Sequence, residues 1–121
     1  MISSTNIRLS TEHRTDGITH VKVGGKINIY SAERLKKHLL ELASKKSSHF
    51  IVDLNETMYI DSSGIGALIT LSSMYNNNQT RIRFVNIPGN IRKIIQLSGV
   101  VSLIPQCTSI DEAVIEIKQI T

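Results

Sequence analysis

Apolar and polar positions alternate at the start of the chain: Ile7-Arg8-Leu9-Ser10-Thr11-Glu12 has the period of a half-exposed strand. Asp16-Gly17 marks a turn, and Ile18 to Val23 resumes the alternation with Val21 and Val23 on one face and His20 and Lys22 on the other. Strand, Asp-Gly turn and strand predict an antiparallel hairpin. Gly24-Gly25 ends it, and Lys26 to Tyr30 leads across to a helix. Ala32, Leu35, Leu39 and Leu42 recur at helical spacing, with Ser31 as the expected cap, Glu33 in the first turn, and Lys45-Lys46-Ser47-Ser48 closing the helix.

The next segment, Phe50-Ile51-Val52-Asp53-Leu54, is short, apolar and β-branched, as a strand covered on both faces requires. A loop is expected over Asn55 to Ile60, then a helix from Ile65 to about Tyr75 that ends at Asn76-Asn77-Asn78. Arg81 to Val85 predicts a fourth strand. Pro88-Gly89 predicts a turn and Asn90 a cap, followed by a helical face at Ile91, Ile94, Ile95 and Ser98 that Gly99 terminates. Val101 to Ile104 is expected as a short last strand. Ser109 and Glu112 form a capping box for a final helix on Ile110, Ala113, Val114 and Ile117. The order β-β-α-β-α-β-α-β-α predicts an α/β fold: a mixed, mostly parallel sheet with an N-terminal antiparallel hairpin and about four helices. With no internal repeat, linker or low-complexity segment, residues 1–121 are expected to form one domain.

Composition narrows the function classes. At 40% hydrophobic and 20% charged residues the chain is ordinary for a globular protein. No apolar run reaches membrane-spanning length, and the N-terminus lacks a signal-peptide pattern. Cys107 is the single cysteine, so no internal disulfide can form, and a reducing cytoplasm is the expected location. The net charge of +4 comes from basic pairs scattered over several elements, and five aromatics without tryptophan offer little for stacking on bases. Direct nucleic-acid binding and membrane association are not expected.

The chemistry concentrates at Asp61-Ser62-Ser63-Gly64-Ile65-Gly66, where strand hands over to helix. A serine-hydrolase elbow needs glycine two residues before and two after the serine, which neither Ser62 nor Ser63 has. A Walker loop needs a lysine that is missing. His13, His20, His38 and His49 show no ligand spacing, and Cys107 reads as incidental, so neither metal nor cofactor is expected. Helix capping accounts for Asp61, Ser62 and Ser63. It accounts less well for two glycines in a first turn, each costing roughly 0.5–1 kcal/mol against alanine. A docking surface is the other reading, with Ile65 and Ile69 exposed beside the serines.

The same stretch, following Ile51-Val52-Asp53-Leu54, closely resembles the STAS-domain family, specifically the bacterial anti-sigma factor antagonists. Gly25-Lys26-Ile27-Asn28 with Ser31-Ala32, then Val85-Asn86-Ile87-Pro88, Ile94 and Leu97-Ser98-Gly99-Val100, extend the resemblance over nearly the whole chain. It implies a non-enzymatic protein that binds an anti-sigma factor, itself a serine kinase, and so frees the sigma factor. By position the kinase's phosphoacceptor is Ser62, and a PP2C-type serine phosphatase reverses the modification. Ser63 and Gly64 match the motif's following residues and Ile65 an apolar position at the partner surface, so Asn28, Asp61, Ser62, Ser63, Gly64 and Ile65 are the expected partner-binding residues, with Ser63 also expected to cap the helix. Asn28 stands where the family often has aspartate, which bears on partner choice. A STAS subunit regulating a transporter or signalling complex, and a small-ligand or nucleotide-binding domain, are the alternative readings.

Overall fold

The computed structural model describes residues 7–14, 16–44 and 49–119. In chain order the elements are β1 (Ile7–His13), β2 (Ile18–Ile27), α1 (Ile29–Ala43), β3 (His49–Asp53), β4 (Thr57–Ile60), α2 (Ser62–Tyr75), β5 (Arg81–Val85), α3 (Gly89–Leu97), a 3₁₀ turn (Val101–Leu103), β6 (Gln106–Cys107) and α4 (Ile110–Lys118). The sheet runs β1-β2-β3-β5-β6, antiparallel only between β1 and β2. This is the hairpin-plus-parallel arrangement expected, with the Asp16-Gly17 turn using Gly17 at φ +84°.

Several elements differ from expectation. β2 runs through Gly24-Gly25 to Ile27 instead of ending at the glycines. Residues Thr57–Ile60 form a strand, not a loop: β4 pairs in parallel with the far end of β2, on the side where β3 has just ended. Its apolar pattern does not alternate. Its anchor is a polar atom, since the Thr57 hydroxyl donates to Val23 O at 2.7 Å from a buried position. Val101–Leu103 is a 3₁₀ turn and not a strand, because Val101 and Leu103 face solvent and only Ile104 enters the core. The last strand starts after Pro105, whose carbonyl accepts the Phe84 N–H at 2.9 Å. Asn90 does not cap α3. Pro88 occupies that position without a side-chain bond, and Asn90 Nδ2 donates to Met58 O at 3.3 Å. The expected Lys45 to Ser48 helix end lies outside the described residues.

Side-chain alternation on β3 divides the core. Phe50, Val52 and Leu54 join Val21, Val23, Phe84 and the inner faces of α1, α2 and α3. Ile51 points to the other face and packs with Ile18, Val85 and Cys107 under Ala113 and Ile117 of α4. An edge-on contact of Phe50 with Tyr75, centroids 5.1 Å apart, ties α2 to the sheet. Asp16 pairs with Arg14 inside the hairpin turn and ties that turn to α4 through Lys118, both at 3.1 Å.

Two histidines make stability depend on pH. His49 Nδ1 accepts the Arg81 N–H at 3.0 Å, and His38 Nε2 lies 2.7 Å from the Thr11 hydroxyl. Partial burial holds both rings below the ordinary histidine range, with Arg81 and Arg34 respectively acting in the same direction. Below the unfolded pKa the unfolded chain binds these protons more readily than the fold does, so stability is present above that pKa and falls with decreasing pH. Urea midpoints are expected to drop between pH 7.5 and pH 5.5, and a flat profile would contradict these ring environments.

Candidate functional site

At the C-terminal ends of β2 and β4 two helices start side by side. Asn28 caps α1: its Oδ1 accepts from the Tyr30 and Ser31 N–H groups, each at 3.0 Å. The Ser31 hydroxyl accepts the Asn28 N–H at 2.9 Å and donates to Lys26 O at 2.6 Å. Ser31 is thus the buried third residue of a capping box, with Asn28 as the cap, three residues earlier than expected. The helix reads one turn short from sequence because Ile29 and Tyr30 break the apolar stripe by facing solvent.

Asp61 caps α2, its Oδ1 accepting the Gly64 N–H at 2.9 Å, and so takes the role expected of Ser63. Its own N–H donates to Ile27 O at 3.2 Å, which joins the start of α2 to the residue preceding Asn28. Ser62 opens the helix and is exposed, and Ser63 is half-buried. Because Asp61 does the capping, neither serine hydroxyl is needed to satisfy the helix start. The N–H groups of Ser62 and Ser63 have no intrahelical acceptor, as in any first turn, so the site favours negative charge.

The two glycines have different reasons. A Cβ on Gly64 would collide with the carbonyl oxygen of Ile27 and with Cγ1 of Ile60, so only glycine lets α2 lie this close to β2. Gly66 has open space where its Cβ would stand. It lies one turn beyond Ser62, and Ser62, Gly66 and Thr70 form the exposed stripe of the helix.

The structure corrects the expectation for Ile65. At 6% exposure it is buried with Leu68 and Ser72, three and seven residues on, and belongs to the main hydrophobic core. Ile69 is half-buried. The exposed apolar surface near Ser62 comes instead from residues that the sequence reading passed over: Met58 and Tyr59 on β4, and Ile29 and Tyr30 at the start of α1. Tyr59 sits opposite Lys26 in the β2–β4 pairing. The signal available in the sequence was two apolar pairs at positions where neither helix nor strand periodicity buries them.

Other candidate chemistry lies elsewhere. Among the described residues, Cys107, Glu112 and Glu116 bring potential ligand atoms within 4.8 Å of one another. Arg83 already donates to Glu116 at 2.8 Å, and burial pushes the Cys107 thiol up to about 12, which disfavours the thiolate a metal needs. No helix among the described residues is long and apolar enough to cross a membrane.

Known proteins are similar to this chain in sequence and in fold. The anti-sigma-B factor antagonist of Staphylococcus aureus is 24% identical over 98 residues, covering 81% of this chain and 88% of its own length. The crystal structure of an anti-sigma factor antagonist from Mycobacterium paratuberculosis superposes with a TM-score of 0.80 at 21% identity, over 98% of this chain and 99% of that one. The Bacillus cell fate determinant SpoIIAA in its phosphorylated form gives 0.64 at 18% identity, over 91% and 99% of the two chains. The STAS domain profile matches residues 11–113, and with the hairpin, the parallel strands and the Asp61-capped helix in place, the chain belongs to the STAS domain family.

Proposed function

We propose that this protein is an anti-sigma factor antagonist whose unphosphorylated form binds an anti-sigma factor that is also a serine kinase. Phosphorylation of Ser62 ends that binding, and a PP2C-type phosphatase restores it. The observation that carries the reading is the state of Ser62. Its side chain is exposed at the first position of α2, released from capping by Asp61, and the solvent-facing Ile29, Tyr30, Met58 and Tyr59 lie on α1 and β4, whose ends adjoin that helix start. The relatives' names, anti-sigma-B factor antagonist and anti-sigma factor antagonist, agree with it.

The chemistry asks little of this chain. The kinase holds ATP and metal, and the Ser62 Oγ attacks the γ-phosphoryl group. An O–P bond forms, the bond to ADP breaks, and the hydroxyl proton passes to a base on the kinase. The product carries about −1.5 to −2 charges and three acceptor oxygens. The free N–H groups of the α2 start accommodate it, so the fold is retained. The partner's surface must then desolvate a phosphate beside Asp61, whose carboxylate is already committed to Gly64.

Contact is assigned to the exposed apolar group and to the Ser62–Gly66–Thr70 stripe, with Asn28, Asp61 and Ser63 at the rim. Gly64 and Ile65 support the site from beneath. Asn28 caps as well as aspartate does, so its departure from the family pattern leaves α1 intact and removes one negative charge from the docking face. In calorimetric titrations with the cognate anti-sigma factor, Tyr30→Ala and Met58→Ala are each expected to weaken binding about tenfold or more without lowering the melting temperature. Unchanged affinity in both variants would move the interface elsewhere.

A further inference from the structure

The hairpin strand β1 ends the sheet, and among the described residues it pairs with β2 alone. An edge of this kind exposes a row of backbone donors and acceptors, and natural proteins usually blunt it with proline, bulges, short length or repelling charge. β1 has none of the first three. It runs seven residues without proline and keeps an unbroken register with β2 from Ile7–Gly25 to His13–Thr19. The sheet's recorded irregularity is in the β2–β4 pairing, away from this edge.

What charge β1 carries is arranged in a particular way. Arg8, Ser10 and Glu12 are exposed and share one face, opposite Gly24, Lys22 and His20 of β2. Leu9 and Thr11 are half-buried on the other face, the one that α1 covers. Beside them a groove of about 330 Å³ opens between β1 and α1, lined by Leu9, Arg34, Lys37, His38 and Glu41.

We propose that β1 is the interface through which two copies of this chain pair, antiparallel and centred on Ser10, into one continuous sheet. A two-fold axis at Ser10 places Arg8 of each copy opposite Glu12 of the other, giving two ion pairs on the exposed face. It also sets Leu9 opposite Thr11 beside the groove. Neighbouring registers lose this match. Centring on Thr11 opposes Arg8 to Arg14, centring on Leu9 opposes Arg8 to Ser10, and a parallel pair in register stacks Arg8 on Arg8. Directly opposed opposite charges support a strand pair and like charges disrupt it. Centring on a residue satisfies the antiparallel ladder whether Ser10 falls at a hydrogen-bonded or a non-hydrogen-bonded position. The charges on this edge therefore match a second copy in this register and oppose the neighbouring ones. The α2 start belongs to other elements, so this pairing stands independently of the reading of Ser62.

Sedimentation equilibrium of the full chain tests it. A dimer that dissociates on dilution and weakens with salt is expected. Arg8→Glu or Glu12→Arg alone would weaken it about tenfold or more, since each creates two like-charge contacts. The double variant R8E/E12R would restore it, because the pairs are rebuilt with their signs exchanged. Circular dichroism confirms that each variant is folded. Ser10→Cys supplies a second measurement. Directly opposed Cα atoms in an antiparallel pair are about 4.5–5.5 Å apart, within disulfide range. Mild oxidation should give a covalent dimer, with the buried Cys107 not participating. A wild-type chain monomeric at every concentration, a dimer indifferent to the single reversals, or one not rescued by the double exchange would overturn the proposal.

Discussion

Ser62→Ala is expected to hold the anti-sigma factor permanently, and Ser62→Asp to release it. The exposed hydroxyl is not part of the α2 cap, which Asp61 supplies at 2.9 Å to the Gly64 N–H, so both substitutions leave the fold in place. Aspartate at the first helical position is favourable for the isolated chain, since an acid there interacts well with the helix dipole. The effect on binding therefore has the opposite sign from the effect on stability. Ser62→Asp should melt at the wild-type temperature or slightly above and still lose affinity. A loss of about 1.4 kcal/mol weakens binding tenfold, and a carboxylate desolvated beside Asp61 against an apolar surface exceeds that readily. Binding titrations paired with thermal melts separate the two effects. An Ser62→Asp protein that binds at wild-type strength would contradict the electrostatic account of the switch.

The second large effect comes from Gly64. Its substitution by alanine drives a methyl group into the Ile27 carbonyl and the Ile60 side chain, and a backbone oxygen cannot rotate away. Ile27 O also accepts the Asp61 N–H, so pushing it disturbs the cap of α2 and the neighbouring cap at Asn28 together. A loss of about 1–3 kcal/mol is expected in urea unfolding, the range for overpacked sites. Gly66→Ala is the matched comparison. With open space at its Cβ position, it should stabilise the helix by about 0.5–1 kcal/mol. That same methyl stands on the exposed stripe one turn beyond Ser62, where it would obstruct a partner. Gly66→Ala is therefore expected to combine higher stability with weaker binding. Equal stability changes at the two positions would show that α2 is packed differently from this account.

Most of the fold was legible because the decisive segments carry strong periodicity. Phe50 to Leu54 and the α1 stripe of Ala32, Leu35, Leu39 and Leu42 are buried as their patterns require, as are Ile91 and Ile95 of α3 and Ala113 and Ile117 of α4, whereas Ile94, Ile110 and Val114 are half-buried and Ser98 is exposed. The misses share a physical cause: structure set by contacts distant in sequence. β4 is held by Thr57 reaching Val23, thirty-four residues earlier, which no local pattern records. Asn28 lies in the Lys26 to Tyr30 connection expected to lead to the helix, and its capping geometry makes it the start of α1. Asp61, Ser62 and Ser63 are all good caps in isolation, and only the geometry selects Asp61 and frees Ser62. Ile65, expected at the surface, belongs to the core, next to the Gly64 that lets α2 lie close to β2. The exposed apolar role passes to Ile29, Tyr30, Met58 and Tyr59, on two elements that meet only in three dimensions.

The central claim, that Ser62 is the phosphoacceptor of a docking face, has one direct measurement. The full chain is incubated with the cognate anti-sigma kinase and ATP, and the modified peptide is mapped by mass spectrometry. The account predicts phosphate on Ser62 in the wild-type chain and none in the Ser62→Ala variant. Phosphate on Ser63 alone, or undiminished phosphorylation of Ser62→Ala, would contradict it.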